Sequence, residues 1–149
     1  MRLRGTALSV YFDTSALVKL LVDEPDSDLA RSAYADANGS RTTAVAYVEA
    51  TSALTRMRKG KRLSPAKYRA ALDELDVIWA TLYVREVTDT LIEVAAKTAR
   101  DHALRAYDAV HLAGALAFAE GEEVVFMCWD NELSEAADKE GFALIPEQS

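Results

Sequence analysis

Cysteine is almost absent from this chain of 149 residues, with Cys128 standing alone. A single thiol excludes an intramolecular disulfide framework and a cysteine-rich zinc site, and two histidines leave little for a histidine-based one. That usage fits a reducing cytosol, so a cytoplasmic location is expected. Long apolar runs are missing as well. The chain begins MRLRGT, the apolar stretch that follows ends at Phe12 before Asp13, and Lys19 and Asp23 interrupt the next one. Neither a signal peptide nor a membrane span is expected. Linkers, internal repeats and low-complexity tracts are also lacking. At this length one domain spanning residues 1–149 can bury roughly 68–70% of the surface its unfolded chain exposes, with no staple needed.

Positive charge is in short supply. The formal net charge is −7, which weighs against a nucleic-acid partner, because nonspecific phosphate binding rests on Lys and Arg. The distribution softens the objection. Five of the seven residues in RMRKGKR, from Arg56 to Arg62, are basic, and Arg100, His102 and Arg105 come just before Asp108. The plainer account of Arg56 to Arg62 is a solvated helix end, complementing the helix dipole and terminated by Gly60. A basic rim beside an acidic centre is the functional account.

Strand-like and helix-like segments alternate along the chain. Ala7 to Phe12 reads as a buried strand, followed by a helix from Thr14 to about Val22. Ser27 is expected to cap a helix to about Ala37. A short strand, Ser40 to Thr43, leads into a helix to about Lys59. Ser64-Pro65 is an N-cap with proline at the first helical position, opening a helix to about Trp79. Leu82 to Val87 reads as a strand, and Thr88-Asp89 starts a helix ending near His102. A helix from about Ala106 to Gly121, a strand to Cys128, a helix from Asn131 to Glu140 capped by Gly141, and a strand from Phe142 to Ile145 complete the chain. Continuously apolar strands separated by helices predict an α/β fold, a central, mostly parallel sheet with helices on both faces. Ligands bind such sheets outside the carboxyl ends of the strands, where the strand order switches.

Four acids fall at that edge on this reading. Asp13 and Asp130 end strands, and Glu49 and Asp108 are assigned to first turns of helices. Each has an ordinary explanation alone: Asp13 and Asp130 sit where N-caps belong, the macrodipole favours Asp108, and Glu49 fits a wet helix face. The set does not. Carboxylates brought together without a counter-ion force some to stay protonated, and a divalent cation removes that cost. Oxygen-only ligands favour Mg²⁺ or Mn²⁺ over zinc. Such ions activate water and stabilise phosphoryl oxygens, so the implied reaction is phosphodiester hydrolysis.

The strings YFDTSALVKLLVDEP, AYVEATSAL, LRAYDAVHLAGAL and WDNELSEAADKEGF, in that order, resemble the PIN domain family, in particular the bacterial VapC-type toxins. The resemblance runs from Val10 to about Ile145. It implies a PIN-like domain and a metal-dependent endoribonuclease acting on RNA, usually the toxin of a toxin–antitoxin pair silenced by a cognate antitoxin. Asp13, Glu49, Asp108 and Asp130 match the family's acidic quartet and are the expected catalytic and metal-binding residues. Ser15 matches the small hydroxyl residue after the first acid and joins the catalytic set. Thr14 is left out. His111, on an apolar helix, reads as structural, and Tyr11, Tyr47 and Tyr107 as core residues.

Two departures affect detail. Cys128 stands where relatives commonly have Thr or Ser, a weaker hydrogen-bonding group expected to alter ordering near Asp130 and to serve as a buried strand residue. Asn131 follows the last acid, where the family varies. From the family also come a basic antitoxin segment in a groove between the helices Asp26 to Ala37 and Pro65 to Trp79, and a homodimer through Ala44 to Leu54 and Leu91 to Ala99. Two other readings keep the fold and change the function: a processing nuclease without toxicity, and a non-catalytic PIN-like binding module, against which the intact quartet argues. A phosphoacceptor receiver domain would need paired acids after the first strand and a late lysine, and neither is present.

Overall fold

A computed structural model of the protein describes residues 8–148. The elements run β1 (Ser9–Phe12), α1 (Thr14–Leu21), α2 (Ser27–Asp36), β2 (Ser40–Thr43), α3 (Val45–Lys59), α4 (Pro65–Trp79), β3 (Tyr83–Arg85), α5 (Asp89–His102), α6 (Ala106–Ala119), β4 (Val124–Met127), α7 (Asn131–Lys139) and β5 (Ala143–Ile145). Five strands form one sheet in the order β3-β2-β1-β4-β5. Every pairing is parallel. The chain leaves β1 toward β2 and β3, then crosses back to build β4 and β5. The strand order therefore switches between β1 and β4.

Alternation along the central strand divides the core. Val10 and Phe12 pack with α1–α4, through residues such as Leu17, Ala50, Leu54 and Leu75. Tyr11 points to the other face with Phe126, where Leu91, Leu112 and Leu133 bring in α5, α6 and α7. This period of two, with both faces covered, is why the strands read as continuously apolar. Leu54 and Leu75, at most 1% exposed, each contribute about 1.5–3 kcal/mol of burial. The start of the sheet is tied by Glu122, which accepts both an Arg41 fork and the Ser9 hydroxyl.

The local signals act largely as the sequence predicts. Ser64 caps α4 by accepting from the Lys67 amide, and Thr88 caps α5 through Leu91. Four details differ. Ala7 lies outside the described residues. The cap of α2 is Asp26 in a left-handed conformation, φ 69°, while the Ser27 hydroxyl donates inward to the Val22 carbonyl. At the end of α3, Gly60 is the cap, but Lys61 takes the left-handed turn, φ 61°. The strand expected over Leu82 to Val87 contracts to β3, an edge strand whose Tyr83 is exposed, because only β2 lies beside it.

Candidate active site

The ends of β1 and β4 lie side by side at the switch point, and the Asp13 amide donates to the Met127 carbonyl. Asp13 then opens α1. Its Oδ1 accepts from the Ala16 amide at 2.9 Å and the Ser15 hydroxyl at 2.7 Å, and its Oδ2 accepts from Cys128 Sγ at 3.1 Å. Asp130 opens α7 by accepting from the Leu133 amide at 2.9 Å. Both aspartates are thus N-caps as well as members of the cluster, so capping and function are not alternatives here. Ser15 joins the two strand ends: its hydroxyl also accepts from the Trp129 amide at 2.9 Å.

Asp108 stands in the first turn of α6, half-buried, with no side-chain hydrogen bond among the described residues. Burial pushes its carboxyl up to about 6, and the charges of Asp130 and Asp13 push the same way. Asp13, only 4% exposed, is also raised by burial, although His111, Ser15, Ala16 and Cys128 oppose the shift. Asp108 therefore feels two aspartates that stand at the ends of separate strands. Cys128 accepts from the Asp130 amide at 3.2 Å as well as donating to Asp13, bridging two of the acids. Burial and the Asp13 carboxylate lift its thiol far above the ordinary range.

Glu49 is placed differently. It lies in the second turn of α3 rather than the first, since the helix begins at Val45. Its Oε1 accepts from the Thr14 hydroxyl at 2.8 Å and meets His111 Nε2 at 2.7 Å. Burial raises its carboxyl, but His111 and Thr14 outweigh that and hold it below the ordinary value. Thr14 and His111, set aside on sequence grounds, are thus in the site's immediate environment. The signal was spacing: Thr14 follows the first acid directly, and His111 lies one turn beyond Asp108.

A cleft of about 310 Å³ opens beside Glu49, lined by Thr14, Val48, Ser52, Arg56 and Tyr107 among others. Of the three tyrosines expected in the core only Tyr11 is buried. Tyr107 is 58% exposed and Tyr47 39%, because each faces outward on its helix. Asn131 is exposed.

Among the described residues, no group of three or more His, Cys, Asp or Glu side chains converges tightly enough to hold a metal ion in this geometry. The chemistry of the donor set nevertheless fits a hard divalent cation. The clustered donors are carboxylate oxygens; burial holds Asp13 and Asp108 toward their protonated forms, and the charges of Asp130 and Asp13 add to this at Asp108, which a cation would relieve.

The PIN domain profile matches residues 10–139. The chain belongs to the PIN domain family. The PIN assignment agrees with a curated relative, Ribonuclease VapC45 of Mycobacterium tuberculosis, 37% identical over 139 residues that cover 93% of this chain and 96% of the relative. The PIN fold is also shared with the solved structure of Mycobacterium tuberculosis VapC20, described as a Sarcin-Ricin loop cleaving toxin. That match has a TM-score of 0.66 and 20% identity over 90% of this chain and 96% of that one. VapBC2 from Rickettsia felis, solved bound to a DNA fragment from its promoter, matches with a TM-score of 0.64 and 12% identity over 92% and 97%.

Proposed function

We propose that this PIN domain is an endoribonuclease dependent on Mg²⁺ or Mn²⁺, and that it is the toxin of a VapBC-type toxin–antitoxin pair. The observation that carries the reading is the trio Asp13, Asp108 and Asp130 at the strand-order switch, one of them pushed up to about 6 by burial and by the other two. The 37% identity to a protein named Ribonuclease VapC45, over nearly the full length of both, supports RNA as the substrate.

Asp13, Asp108 and Asp130, with Glu49, would hold the metal, which supplies a Lewis acid for the phosphoryl oxygens and water acidified to a nucleophile near neutral pH. Ser15 and Cys128 hold Asp13 in one rotamer, each donating to a different carboxylate oxygen. The cleft beside Glu49 receives the RNA strand, with Arg56 available to a phosphate and Tyr107 to the face of an unstacked base.

An antitoxin would occupy the groove between the α1 end, α2 and α4, where a cavity of about 400 Å³ is lined by Val22 and Leu63 and by charges of both signs, Asp23, Glu74, Arg31 and Lys67 among them. The net charge of −7 suits a basic partner segment. A second copy of the chain is proposed to cover the exposed Ile92 and Val94 on α5. Among the described residues no helix is long and apolar enough to cross a membrane. The proposed place of action is the cytoplasm.

The test is cleavage of labelled cellular RNA by purified, antitoxin-free protein in Mg²⁺ or Mn²⁺, beside EDTA and Asp108→Asn controls. Discrete fragments lost in both controls are the expected result. Folded protein that cuts nothing would favour a non-catalytic binding module, and cleavage that survives EDTA would overturn the metal requirement.

A further inference from the structure

Behind Glu49 a continuous line of hydrogen bonds crosses the layer between the sheet and α6. The Thr43 hydroxyl meets the Tyr11 hydroxyl at 2.7 Å, Tyr11 meets His111 Nδ1 at 2.7 Å, and His111 Nε2 meets Glu49 Oε1 at 2.7 Å. Thr14 Oγ1 donates to the same carboxylate oxygen and lies 3.0 Å from His111 Nε2. Tyr11 and Thr43 are wholly buried and His111 is 1% exposed. Only the Glu49 end reaches solvent, its side chain 23% exposed.

The donors and acceptors along this line can be ordered. A carboxylate only accepts, so His111 Nε2 must carry a proton to face it. On a neutral ring Nδ1 then accepts, the Tyr11 hydroxyl donates to it, and the Tyr11 oxygen accepts from Thr43. The protons along the line then all point one way, from Thr43 to Tyr11 to His111 and from His111 to Glu49. The opposite tautomer would set a bare Nε2 lone pair against the Glu49 carboxylate, a repulsive contact. Glu49 Oε1 is thus fixed by two donors, while Oε2 has no hydrogen bond among the described residues.

The packing is cut to fit this line. A Cβ on Gly114 would lie 2.0 Å from Thr43 Oγ1 and 3.3 Å from the Tyr11 hydroxyl, so α6 could not sit this close to β2 with any other residue there. A core built only for stability would have no need of a buried phenol, imidazole and hydroxyl between Val110, Leu112 and Phe126. Apolar side chains of similar size fill such a space without the requirement that every polar atom be paired.

We propose that Tyr11, His111 and Thr14 are positioning residues, which fix the Nε2–H tautomer of His111 and so hold the Glu49 carboxylate in one orientation, Oε2 turned to the reacting edge. The proposal rests on Glu49 serving the metal-dependent nuclease proposed above. Groups that orient a metal-site ligand in this way typically matter by 10–100-fold in affinity or activity.

Three measurements test it on the full chain. Nitrogen-15 spectra of the histidine rings in metal-free protein should show His111 protonated at Nε2 and bare at Nδ1, and Tyr11→Phe should disturb that pattern. Mn²⁺ titration by calorimetry should give an affinity about tenfold weaker for Tyr11→Phe and for His111→Leu, with His111→Gln, which keeps a donor near the Nε2 position, recovering most of it. RNA cleavage should lose kcat by about 10–100-fold in the first two variants with KM changed less than about twofold. A merely structural role predicts lower stability but wild-type kcat and Mn²⁺ affinity per folded molecule, and that result overturns the proposal, as does His111 bare at Nε2. If wild-type protein cuts no RNA, the function reading fails by itself, and the spectra and Mn²⁺ titration still decide the positioning role.

Discussion

Asp108 shows at the residue scale what a half-buried acid beside other acids costs a fold. Its carboxyl, at about 6 against an ordinary 3.8, binds its proton more tightly folded than unfolded. Below about pH 3 both states are protonated and the difference has no effect. Between about 3 and 6 the unfolded chain gives up the proton first, so stability falls as pH rises, and above about 6 to 7 the penalty stays constant. Asp108→Asn removes it. The expected outcome in metal-free protein is a variant more stable than wild type by about 1 kcal/mol at pH 8, once solvent screening of this half-exposed group is allowed for, and near-equal stability at about pH 3. Saturating Mn²⁺ should shrink or reverse the difference, because the wild-type site alone keeps its full ligand set. Urea unfolding at the two pH values reads this directly. A variant weaker than wild type at pH 8 without metal would mean that Asp108 is stabilised, not strained, by its neighbours.

Helix α6 carries the candidate site at the scale of an element, since Asp108 lies in its first turn, His111 one turn on, and Gly114 one turn further sets its approach to β2. Gly114→Ala must push the helix away from Thr43, or Thr43 away from the helix, at a cost of about 1–3 kcal/mol for an overpacked core. Because Asp108 and His111 move with the helix, RNA cleavage should fall more than tenfold even where the variant remains folded. Chemical denaturation and single-turnover cleavage measure the two losses separately. An alanine tolerated in both would show that α6 is not held by that contact. The same helix shows what a sequence makes legible. The α/β alternation, the caps at Ser64 and Thr88, and the location of Asp13 and Asp130 at strand ends follow from local chemistry and hydrophobic period. The partnership of His111 with Glu49 and Tyr11 joins residues 62 and 100 positions apart, which no local pattern encodes. Tyr107 failed as a core residue for a related reason. The continuous apolarity of α6 hides which face its first turn presents, and only the helix's seat on the sheet settles that.

An acidic molecule that cuts an acidic polymer must bind it locally, and this gives the whole protein a measurable electrostatic character. With a net charge of −7, nonspecific attraction over the surface is unfavourable, and productive contact falls to the cations nearest the acids. Arg56 lines the cleft beside Glu49, and Arg105 is close enough to Asp108 to lower its carboxyl's affinity for protons. Two or three phosphate contacts on single-stranded RNA imply that log(kcat/KM) falls against log[K⁺] with a slope of about −2, taking about −0.7 for each contact. Arg56→Ala should make that slope shallower by about 0.7 and leave the fragment pattern unchanged, because a phosphate contact carries no base information. Tyr107→Ala should do the converse, leaving the slope intact while weakening substrate binding by about 1–3 kcal/mol through lost stacking. Kinetics over a range of KCl at fixed, saturating Mn²⁺ separate the two. A wild-type slope near −5 would instead mean that RNA spans a basic surface well beyond this cleft, which in a chain this acidic would have to be gathered from RMRKGKR of more than one copy.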